Sequence, residues 1–305
     1  MPTLEELAQQ GDPGTLETEE QAQNIKLMTP QQLYELWERQ QWRSQAIDFT
    51  KDREHWAALS RRERGELLYG LSGFYLGEER VTTQFSGLVR AYADEHEESF
   101  LTTQQVDEAR HMQFFDRFYR EVLGYEEEDL PGRLGHARRE VTEAFSILFD
   151  QNLTDAERRL LENREDIEAK VDFVTTYHMV IEGTLALTGQ RFITDYMTDR
   201  GILPGFVEGF ENVARDEHRH VAYGTWFLQQ TAGKDERLAN RMRAKLQELI
   251  PVAAGVLVPP GVNPGEPWEL FGYSSEQVNE YAYKSLTRRL KAIGVPLAPP
   301  ETVAA

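Results

Sequence analysis

Apolar residues recur along this chain at intervals of three and four, the spacing that gathers them on one face of an α-helix. The repeat predicts four long helices, at about residues 60–92, 94–123, 169–198 and 206–230. No segment shows the sustained alternation of apolar and polar residues that a half-buried strand requires. The pattern therefore predicts an all-α fold with a four-helix core.

Shorter helical patterns and breaks lie around these four segments. Thr29 and Pro30 are typical of an N-cap and a first helical turn, and they predict a short helix that reaches Trp37. Further helices are predicted through Phe149, over residues 236–250, and from an N-cap at Ser275 to Gly294. The stretches 126–135 and 251–267 contain proline and glycine, so both are predicted to be irregular connections.

The length of the chain and the placement of its breakers predict one domain. A chain of 305 residues can bury a large core, and no clean linker divides it. A single helical domain is expected over residues 29–295. Residues 1–28 are mostly polar and contain Gly11 and Pro13, so we expect a flexible arm there, and we expect residues 296–305 to form a tail.

Six possible metal ligands lie within the apolar faces of the four long helices. They are Glu78, Glu108, His111, Glu182, Glu217 and His220. Two Glu-x-x-His units supply four of them, and residues three apart share a helix face. Glu78 precedes the first unit by 30 residues and Glu182 precedes the second by 35, so each gap suits a pair of antiparallel helices.

The charge of these side chains favours a metal site. One carboxylate buried among apolar side chains is costly and normally becomes protonated. Four of them on four helices are balanced by two divalent cations, with both histidines neutral. A bundle that supplies Glu, Glu-x-x-His, Glu and Glu-x-x-His is the ligand set of dinuclear iron and manganese carboxylate proteins. A lone Glu-x-x-His unit is more often a solvated face, but the duplicated arrangement predicts a dinuclear site.

Asp107 and Asp216 immediately precede the glutamates of the two Glu-x-x-His units. A metal-bound imidazole usually donates its second N–H to a carboxylate or a carbonyl. We therefore expect each aspartate to support a histidine, with each serving the histidine of the opposite helix. His218 lies between two ligand positions and points elsewhere on its helix, so we interpret it as structural or exposed.

Composition narrows the classes of partner. The formal charge of -19 argues against nucleic acid and anionic membranes, because both attract lysine and arginine. The absence of cysteine excludes disulfides, thiolate ligands and cysteine nucleophiles. No apolar run approaches the roughly 20 residues that span a bilayer, and the acidic amino terminus lacks the order of a secretion signal. We expect a cytoplasmic protein without an integral membrane segment.

These residues resemble those of a known superfamily. The Asp-Glu-x-Arg-His units at 107–111 and 216–220, with Glu78 and Glu182, are similar to the ligand motif of ribonucleotide reductase small subunits, whose core is ferritin-like. The resemblance covers roughly residues 60–230, and the ligand motif is highly specific. It implies a ferritin-like four-helix bundle with additional helices.

Within that superfamily, the chain more closely resembles the ligand-binding oxidases related to the small subunit. Two marks of those oxidases are a valine three residues after the first metal glutamate and a tyrosine five residues before the third. Val81 and Tyr177 occupy these two positions. The resemblance implies that their side chains are joined by an ether crosslink between the tyrosine oxygen and the valine Cβ.

The resemblance also implies the cofactor and the ligand. It implies a mixed manganese/iron site that activates O2, with di-iron as the alternative. Manganese would be held by Glu78, Glu108 and His111, and iron by Glu182, Glu217 and His220. A long-chain fatty acid would bind with its carboxylate at the metals, and two chains would form a homodimer, which is also the commonest oligomer in general.

Tyr177 and Glu182 are five residues apart, and a regular α-helix would not direct both to the same site. Both can reach it if the helix widens locally, as it does in a π-bulge, and such bulges are frequent at functional positions. The alternative interpretation is that Tyr177 is a core tyrosine beside the site.

Three other functions are compatible with the residues. The first is a ribonucleotide reductase small subunit of the manganese/iron type; Phe115 then occupies the usual radical-tyrosine position, and residues 296–305 lack the usual tyrosine. The second is a non-catalytic ferritin-like metal-binding or storage protein, although storage bundles are shorter than this chain. The third is a hydroxylase component for a diffusible substrate. For a lipid ligand or such a substrate, five apolar residues are expected to line a tunnel: Phe74, Phe115, Val174, Ile181 and Leu185.

Overall fold

The computed structural model describes residues 27–125, 128–263 and 265–297. The expected flexible arm lies outside these ranges apart from Leu27 and Met28, and the expected tail lies outside them apart from residues 296 and 297. The predicted domain boundaries therefore stay predictions. Within the described ranges, nearly every regular element is a helix.

The α-helices follow one another with few long connections. In chain order they are α1 (Pro30–Arg39), α2 (Thr50–Ala58), α3 (Arg61–Gln84), α4 (Ser86–Arg90), α5 (Glu95–Glu121), α6 (Leu130–Ala137), α7 (Glu143–Ser146), α8 (Thr154–Glu162), α9 (Ile167–Val174), α10 (Leu187–Arg200), α11 (Pro204–Gln230), α12 (Glu236–Leu257) and α13 (Ser275–Ile293). Two π-helical segments continue the α-helices without a break: Ile147–Leu153 joins α7 to α8, and Thr175–Ala186 joins α9 to α10. A short 3-10 turn, Ser44–Ala46, precedes α2.

Two predicted helix starts are confirmed by reciprocal caps. The Thr29 side chain accepts a hydrogen bond from the Gln32 backbone, and the Gln32 side chain accepts one from the Thr29 backbone. Ser60 and Glu63 form the same arrangement at the start of α3. Capping boxes of this kind satisfy backbone donors that the first turn leaves unpaired, so they define where α1 and α3 begin.

The predicted four-helix core consists of α3, α5, the continuous run from α9 through α10, and α11. The α3 helix packs against α5, and α11 packs against the Thr175–Ala186 segment and α10. Apolar side chains from these helices form one buried cluster, in which Leu71, Phe115, Met179 and Phe210 are fully buried. The α12 and α13 helices pack against the same π-helical segment. The prediction of an all-α fold with additional helices is confirmed.

Some helix boundaries differ from the prediction because a serine or a proline was assigned to the wrong position in the first turn. The cap of α13 is Ser274 rather than Ser275, and its side chain accepts from the Gln277 N–H at 3.3 Å. The α11 helix begins at Pro204 rather than Phe206, because the first turn does not use the N–H that proline lacks. The predicted helix over residues 60–92 is interrupted at Phe85 and resumes as α4.

Both stretches predicted to be irregular contain helix, so those two predictions are wrong in part. In α6, the Asp129 side chain caps the helix by accepting from the Gly132 N–H, and Pro131 falls in the first turn. The α12 helix runs through Pro251, and its inner face, which includes Ala253, is buried. Burial of that face outweighs the single backbone hydrogen bond that a proline removes from a helix.

Two very short strands precede α13. Strand β1 (Glu269–Leu270) pairs antiparallel with β2 (Tyr273–Ser274). The turn between them consists of Phe271 and Gly272, both with positive φ angles, +54° and +78°. Strands of two residues are too short to produce a detectable alternation in the sequence. Across the described ranges, none of the helices has the length and apolar character needed to cross a membrane.

Candidate metal centre

All six predicted ligand residues meet at the centre of the four-helix core, and none of them is more than 5% exposed. The α3 helix contributes Glu78, α5 contributes Glu108 and His111, the π-helical segment contributes Glu182, and α11 contributes Glu217 and His220. Two overlapping groups have one ligand atom per residue within 4.8 Å of one another: Glu78, Glu108, His111 and Glu217, and then Glu108, Glu182, Glu217 and His220. Glu108 and Glu217 belong to both groups, so each is positioned to bridge two ions.

The first histidine directs one ring nitrogen at the glutamates and the other away from them. His111 Nδ1 lies 3.4 Å from Glu78 Oε2 and 3.6 Å from Glu108 Oε2. His111 Nε2 lies 3.2 Å from Asp216 Oδ2, on α11. The ring therefore offers Nδ1 to the centre of the cluster.

The second histidine repeats this geometry from the opposite helix. His220 Nδ1 lies 3.0 Å from Glu108 Oε1 and 3.1 Å from Glu182 Oε1. His220 Nε2 lies 3.3 Å from Asp107 Oδ2, on α5. The aspartates and histidines are thus paired across helices, in the crossed arrangement expected from the sequence.

Burial and mutual charge govern protonation in the cluster. Burial raises the pKa of Glu78 to about 8, and burial together with the charge of Glu217 raises the pKa of Glu182 well above its usual value. Burial alone would lower the pKa of His111 and His220, but the surrounding carboxylates outweigh it and raise both. Without metal the cluster holds protons, and divalent cations would displace them.

Three buried atoms of the cluster lack a hydrogen-bond partner among the described residues. They are His111 Nδ1, Glu182 Oε2 and Glu217 Oε2. Buried polar atoms are normally paired, so unpaired ones at the same place indicate a missing ligand or ion. Carboxylate oxygens and imidazole nitrogens suit both manganese and iron. The residues present therefore fit a dinuclear metal site.

Asp107 and Asp216 are held by a buried arginine and by two indoles. Arg219 donates to Asp107 Oδ2 at 2.9 Å and to Asp216 Oδ1 at 2.5 Å. Trp37 Nε1 donates to Asp107 Oδ1 at 2.9 Å, and Trp42 Nε1 donates to Asp216 Oδ2 at 2.6 Å. Burial alone would raise the pKa of Asp216, but His111, Arg219 and Trp42 outweigh it and lower that pKa. Both carboxylates are thereby fixed in orientation.

Tyr177 lies at the edge of the cluster, and its hydroxyl donates to Glu108 Oε1 at 2.6 Å. The local widening predicted between Tyr177 and Glu182 is confirmed, because both lie in the π-helical segment. Gln104 Nε2 lies 3.4 Å from the Tyr177 hydroxyl oxygen and 3.4 Å from Glu182 Oε1. The π-helix thus brings a tyrosine and a carboxylate five residues apart to one site.

A cavity of about 160 Å³ opens beside the cluster. Four glutamates line it, Glu78, Glu108, Glu182 and Glu217, together with Val81 and Tyr177. Nearly all of the remaining wall is apolar, so the cavity joins a polar end to an apolar interior.

The expected tunnel lining is correct for three residues of five. Phe74, Ile181 and Leu185 line the cavity. Phe115 and Val174 do not, and both are fully buried elsewhere in the core. Phe115 instead packs against the rings of other phenylalanines, among them Phe206 and Phe210.

Comparison with known proteins identifies the family. The sequence model for the small chain of ribonucleotide reductase matches residues 20–298. The chain belongs to the ribonucleotide reductase small chain family. Membership in this family and the buried carboxylate–histidine cluster together support a di-metal oxidoreductase.

Several solved structures of variants of an R2-like ligand-binding oxidase are similar to this chain. One, with an anaerobically reconstituted Mn/Fe cofactor, is 26% identical with a TM-score of 0.73, covering 87% of this chain and 93% of that chain. Another with the same cofactor preparation is 27% identical with a TM-score of 0.74, over the same shares. A third, aerobically reconstituted with Mn/Fe, is 26% identical with a TM-score of 0.74, again over 87% and 93%.

The sequence patterns did not predict the residues that bind the two aspartates, which are Arg219, Trp37 and Trp42. A signal was present for one of them, because each Asp-Glu-x-Arg-His unit places an arginine, Arg110 or Arg219, three residues after its aspartate. Trp37 and Trp42 carry no such signal. His218 turns away from the cluster, and its Nδ1 contacts the Ala214 carbonyl oxygen of its own helix.

Proposed function

We propose that this protein is a manganese/iron oxidase that activates O2, binds a long-chain fatty acid and forms an ether crosslink between Tyr177 and Val81. The observation that carries the proposal is that Tyr177 and Val81 line the same cavity as the four buried glutamates. The Mn/Fe cofactors of the similar oxidase structures support the choice of metals.

The proposed ligands divide between two metals. Glu78, Glu108 and His111 hold manganese, and Glu182, Glu217 and His220 hold iron, with Asp107 and Asp216 orienting the histidines. Glu108 and Glu217 belong to both groups of ligand atoms, so each would be within reach of both ions. Di-iron occupancy is the alternative, because carboxylate and imidazole ligands accept either metal. When bound, the metal pair would supply two electrons to O2 and so activate it to take a hydrogen from an aliphatic carbon.

The crosslinking reaction is an oxidation of the protein itself. The Tyr177 O–H and Val81 Cβ–H bonds break, one O–C bond forms, and two electrons and two protons pass to O2. With the two electrons from the metals and two protons from solvent, O2 is reduced to water. Glu108 accepts the hydrogen bond of the Tyr177 hydroxyl, so it fixes the direction of the O–H bond. Burial raises the pKa of Tyr177 well above its usual value, which keeps the phenol protonated until it reacts.

The shape and polarity of the cavity support a fatty acid as the ligand. The glutamates lie at one end, and the remaining wall is almost entirely apolar. Ligand sites of this kind bury an apolar body and use a few polar groups to fix orientation. The fatty-acid carboxylate binds at the metal end, and the acyl chain occupies the apolar part.

Mass spectrometry of protein loaded with both metals tests the proposal. After exposure to O2, the peptides that contain Val81 and Tyr177 should appear joined and lighter by two hydrogens. Tyr177→Phe is the matched control, because it keeps the ring and removes the reacting oxygen. Separate, unmodified peptides in the aerobically loaded wild type would contradict the oxidase assignment.

Loss of the metals tests the ligand assignment independently. Glu108→Ala or His220→Ala should prevent binding of two metals per chain, measured by elemental analysis after reconstitution. Glu79→Ala is the control, since Glu79 is a glutamate on α3 outside both ligand groups. Two metals per chain in either ligand variant would contradict the proposed site.

The family membership also favours a second candidate, a ribonucleotide reductase small subunit. Against it, Phe115 has no hydroxyl, and the nearby Tyr119 shares a 2.6 Å hydrogen bond with Ser72. Complex formation with a reductase large subunit would favour this candidate. A non-catalytic metal-binding protein would instead bind both metals without consuming O2. A cytoplasmic location and a homodimer stay predictions.

A further inference from the structure

The cavity beside the metal cluster extends along α3. Three glycines of that helix, Gly70, Gly73 and Gly77, line it at spacings of three and four, so they share one face. A helix rises 1.5 Å per residue, which places Gly73 about 7 to 8 Å and Gly70 about 12 Å along the axis from Glu78. The opposite wall includes Ile193 of α10. A ligand that fills the cavity would therefore lie along the glycine face.

The three glycines leave different amounts of free space. A Cβ atom on Gly77 would lie 3.5 Å from the Phe149 ring, an ordinary contact. A Cβ on Gly70 would lie 3.0 Å from both Ile193 and the Phe271 ring. A Cβ on Gly73 would meet no heavy atom within 4 Å. Open space thus adjoins Gly73, and the walls close together at Gly70.

The side chain that closes this narrow point has an unusual backbone. Phe271 lies in the turn between β1 and β2 with φ at +54°, a left-handed conformation that disfavours residues other than glycine. Its ring is nonetheless buried and packs against Tyr196, with ring centroids 5.3 Å apart. A strained residue persists only where its surroundings determine its position. The turn therefore holds the Phe271 ring against α3.

The opposite end of the cavity is the end at which the metals would bind, and a ligand carboxylate would find its counter-charge there. Glu182 Oε2 and Glu217 Oε2 have no hydrogen-bond partner among the described residues, and both side chains line the cavity while being nine-tenths or more buried. A polar end and a narrow apolar end define a direction. A ligand with one polar head and one unbranched chain matches that direction.

We propose that Gly73 and Phe271 together set the length of the acyl chain that the protein accepts. This inference rests on the proposed fatty-acid ligand. Gly73 leaves room for the middle of the chain, and the Phe271 ring narrows the cavity at the level of Gly70. The favoured ligand class is accordingly an unbranched aliphatic carboxylate.

Competition among fatty acids tests the proposal. Metal-loaded protein is incubated with an equimolar series of saturated straight-chain fatty acids, from octanoic to eicosanoic acid, and the retained acids are extracted and quantified by mass spectrometry. Gly73→Leu should shift the retained distribution to shorter chains, with about a fourfold loss of affinity for each methylene displaced. Phe271→Ala should shift it in the opposite direction, to longer chains.

Two further variants make the result interpretable. Gly65→Leu is the matched control, because Gly65 lies on the same helix, is exposed, and would have no heavy atom within 4 Å of an added Cβ. This variant should retain the same distribution of fatty acids as the wild type. Phe271→Leu shortens the side chain less than alanine does, so a smaller shift toward longer chains is expected even if Phe271→Ala fails to fold.

The outcomes separate this inference from the function on which it rests. If the wild type retains fatty acids and the Gly73 and Phe271 variants keep its distribution, the length-setting role is overturned and the lipid ligand stands. If the wild type retains no fatty acid but forms the Tyr177–Val81 crosslink, the lipid ligand and the length-setting role both fail while the oxidase assignment stands.

Discussion

The cluster of six ligand residues has two different sides. On the side to which the Nε2 atoms of His111 and His220 point, Asp107 and Asp216 each accept hydrogen bonds from an arginine and from an indole. On the other side, facing the cavity, two carboxylate oxygens have no partner in the described part of the chain, and the wall beyond them is apolar with three glycines. We refer to these as the paired side and the open side.

The difference separates two tasks. The paired side fixes the histidine rings in one orientation, which is what a metal site requires of its supporting residues. The open side leaves coordination positions and space for small molecules, which catalytic metal sites require. Substitutions on the paired side should therefore affect folding and metal affinity, whereas substitutions on the open side should affect ligand choice at little cost in stability.

The largest effect is expected for Arg219→Ala on the paired side. Arg219 is 1% exposed and donates to both Asp107 and Asp216. Its loss removes the more buried of the two guanidinium groups that donate to these carboxylates, Arg110 being the other. Removing one partner of a buried ion pair typically costs about 3–5 kcal/mol. Urea unfolding of the metal-free protein measures it. Arg62→Ala is the control, because the Arg62 side chain is exposed and forms its ion pair with Glu66. A difference between the two variants below about 1 kcal/mol would remove the distinction we draw.

A smaller effect, measured on metal affinity, is expected for Asp107→Asn and Asp216→Asn. An amide cannot match a carboxylate as acceptor for a metal-bound imidazole, and loss of such a partner typically weakens metal binding by about 10- to 100-fold. Competition with a chelator measures the affinity. Asp116→Asn is the matched control, because Asp116 is equally buried but accepts from Tyr75 and Arg133 instead. Equal metal affinity in all variants would contradict a supporting role for these aspartates.

The open side should tolerate truncation better than the solid core. Leu67 is fully buried in the core, and Leu67→Ala is expected to cost about 2–5 kcal/mol because it creates a new cavity. Leu185 already borders the cavity, so Leu185→Ala enlarges existing space and should cost less than about 2 kcal/mol. Thermal or urea unfolding compares the two variants. Equal costs would mean that the cavity is closed by side-chain relaxation in solution.

The smallest effect concerns how the free energy of unfolding changes in acid, through an ion pair close to the paired side. Arg117 donates to the backbone of Ser44 and Ile47, just after Trp42, and its hydrogen bonds lower the pKa of Glu121 to about 2. A carboxyl group whose folded pKa lies below its usual value of 4.5 stabilises the fold above about pH 4.5 and loses this contribution as the pH falls toward 2.

Glu121→Gln should therefore lower stability at neutral pH by a small amount, and the difference from the wild type should shrink between about pH 4.5 and pH 2. Unfolding measured across that range checks the slope. A difference that grows on acidification would have the wrong sign for this interaction.

The spacing of residues along single helices carried most of what could be predicted. Intervals of three and four identified the helices and placed the six glutamates and histidines on their inner faces. Those features depend on helix geometry alone, because a helix fixes which residues share a face. The same intervals also relate Gly70, Gly73 and Gly77, a signal that was present in the sequence but not used.

Long-range partners could not be predicted in this way. Trp37 and Trp42 reach the cluster from 70 and 174 residues away in sequence from their aspartates. Apolar periodicity likewise does not distinguish a cavity wall from a packed core, so Phe74 and Phe115 looked equivalent although only Phe74 lines the cavity. That distinction depends on what lies opposite each side chain.

The π-helical segment has a consequence beyond the position of Tyr177. A regular α-helix turns by about 100° per residue, so an additional residue in a wide turn changes the rotational phase of everything that follows. Leu185 and Gly189 face the cavity in the phase that the segment imposes. Deleting one residue between positions 177 and 182 would rotate that wall by roughly 100°. The distance in sequence between the tyrosine and the glutamate therefore also determines which side chains a bound acyl chain would touch.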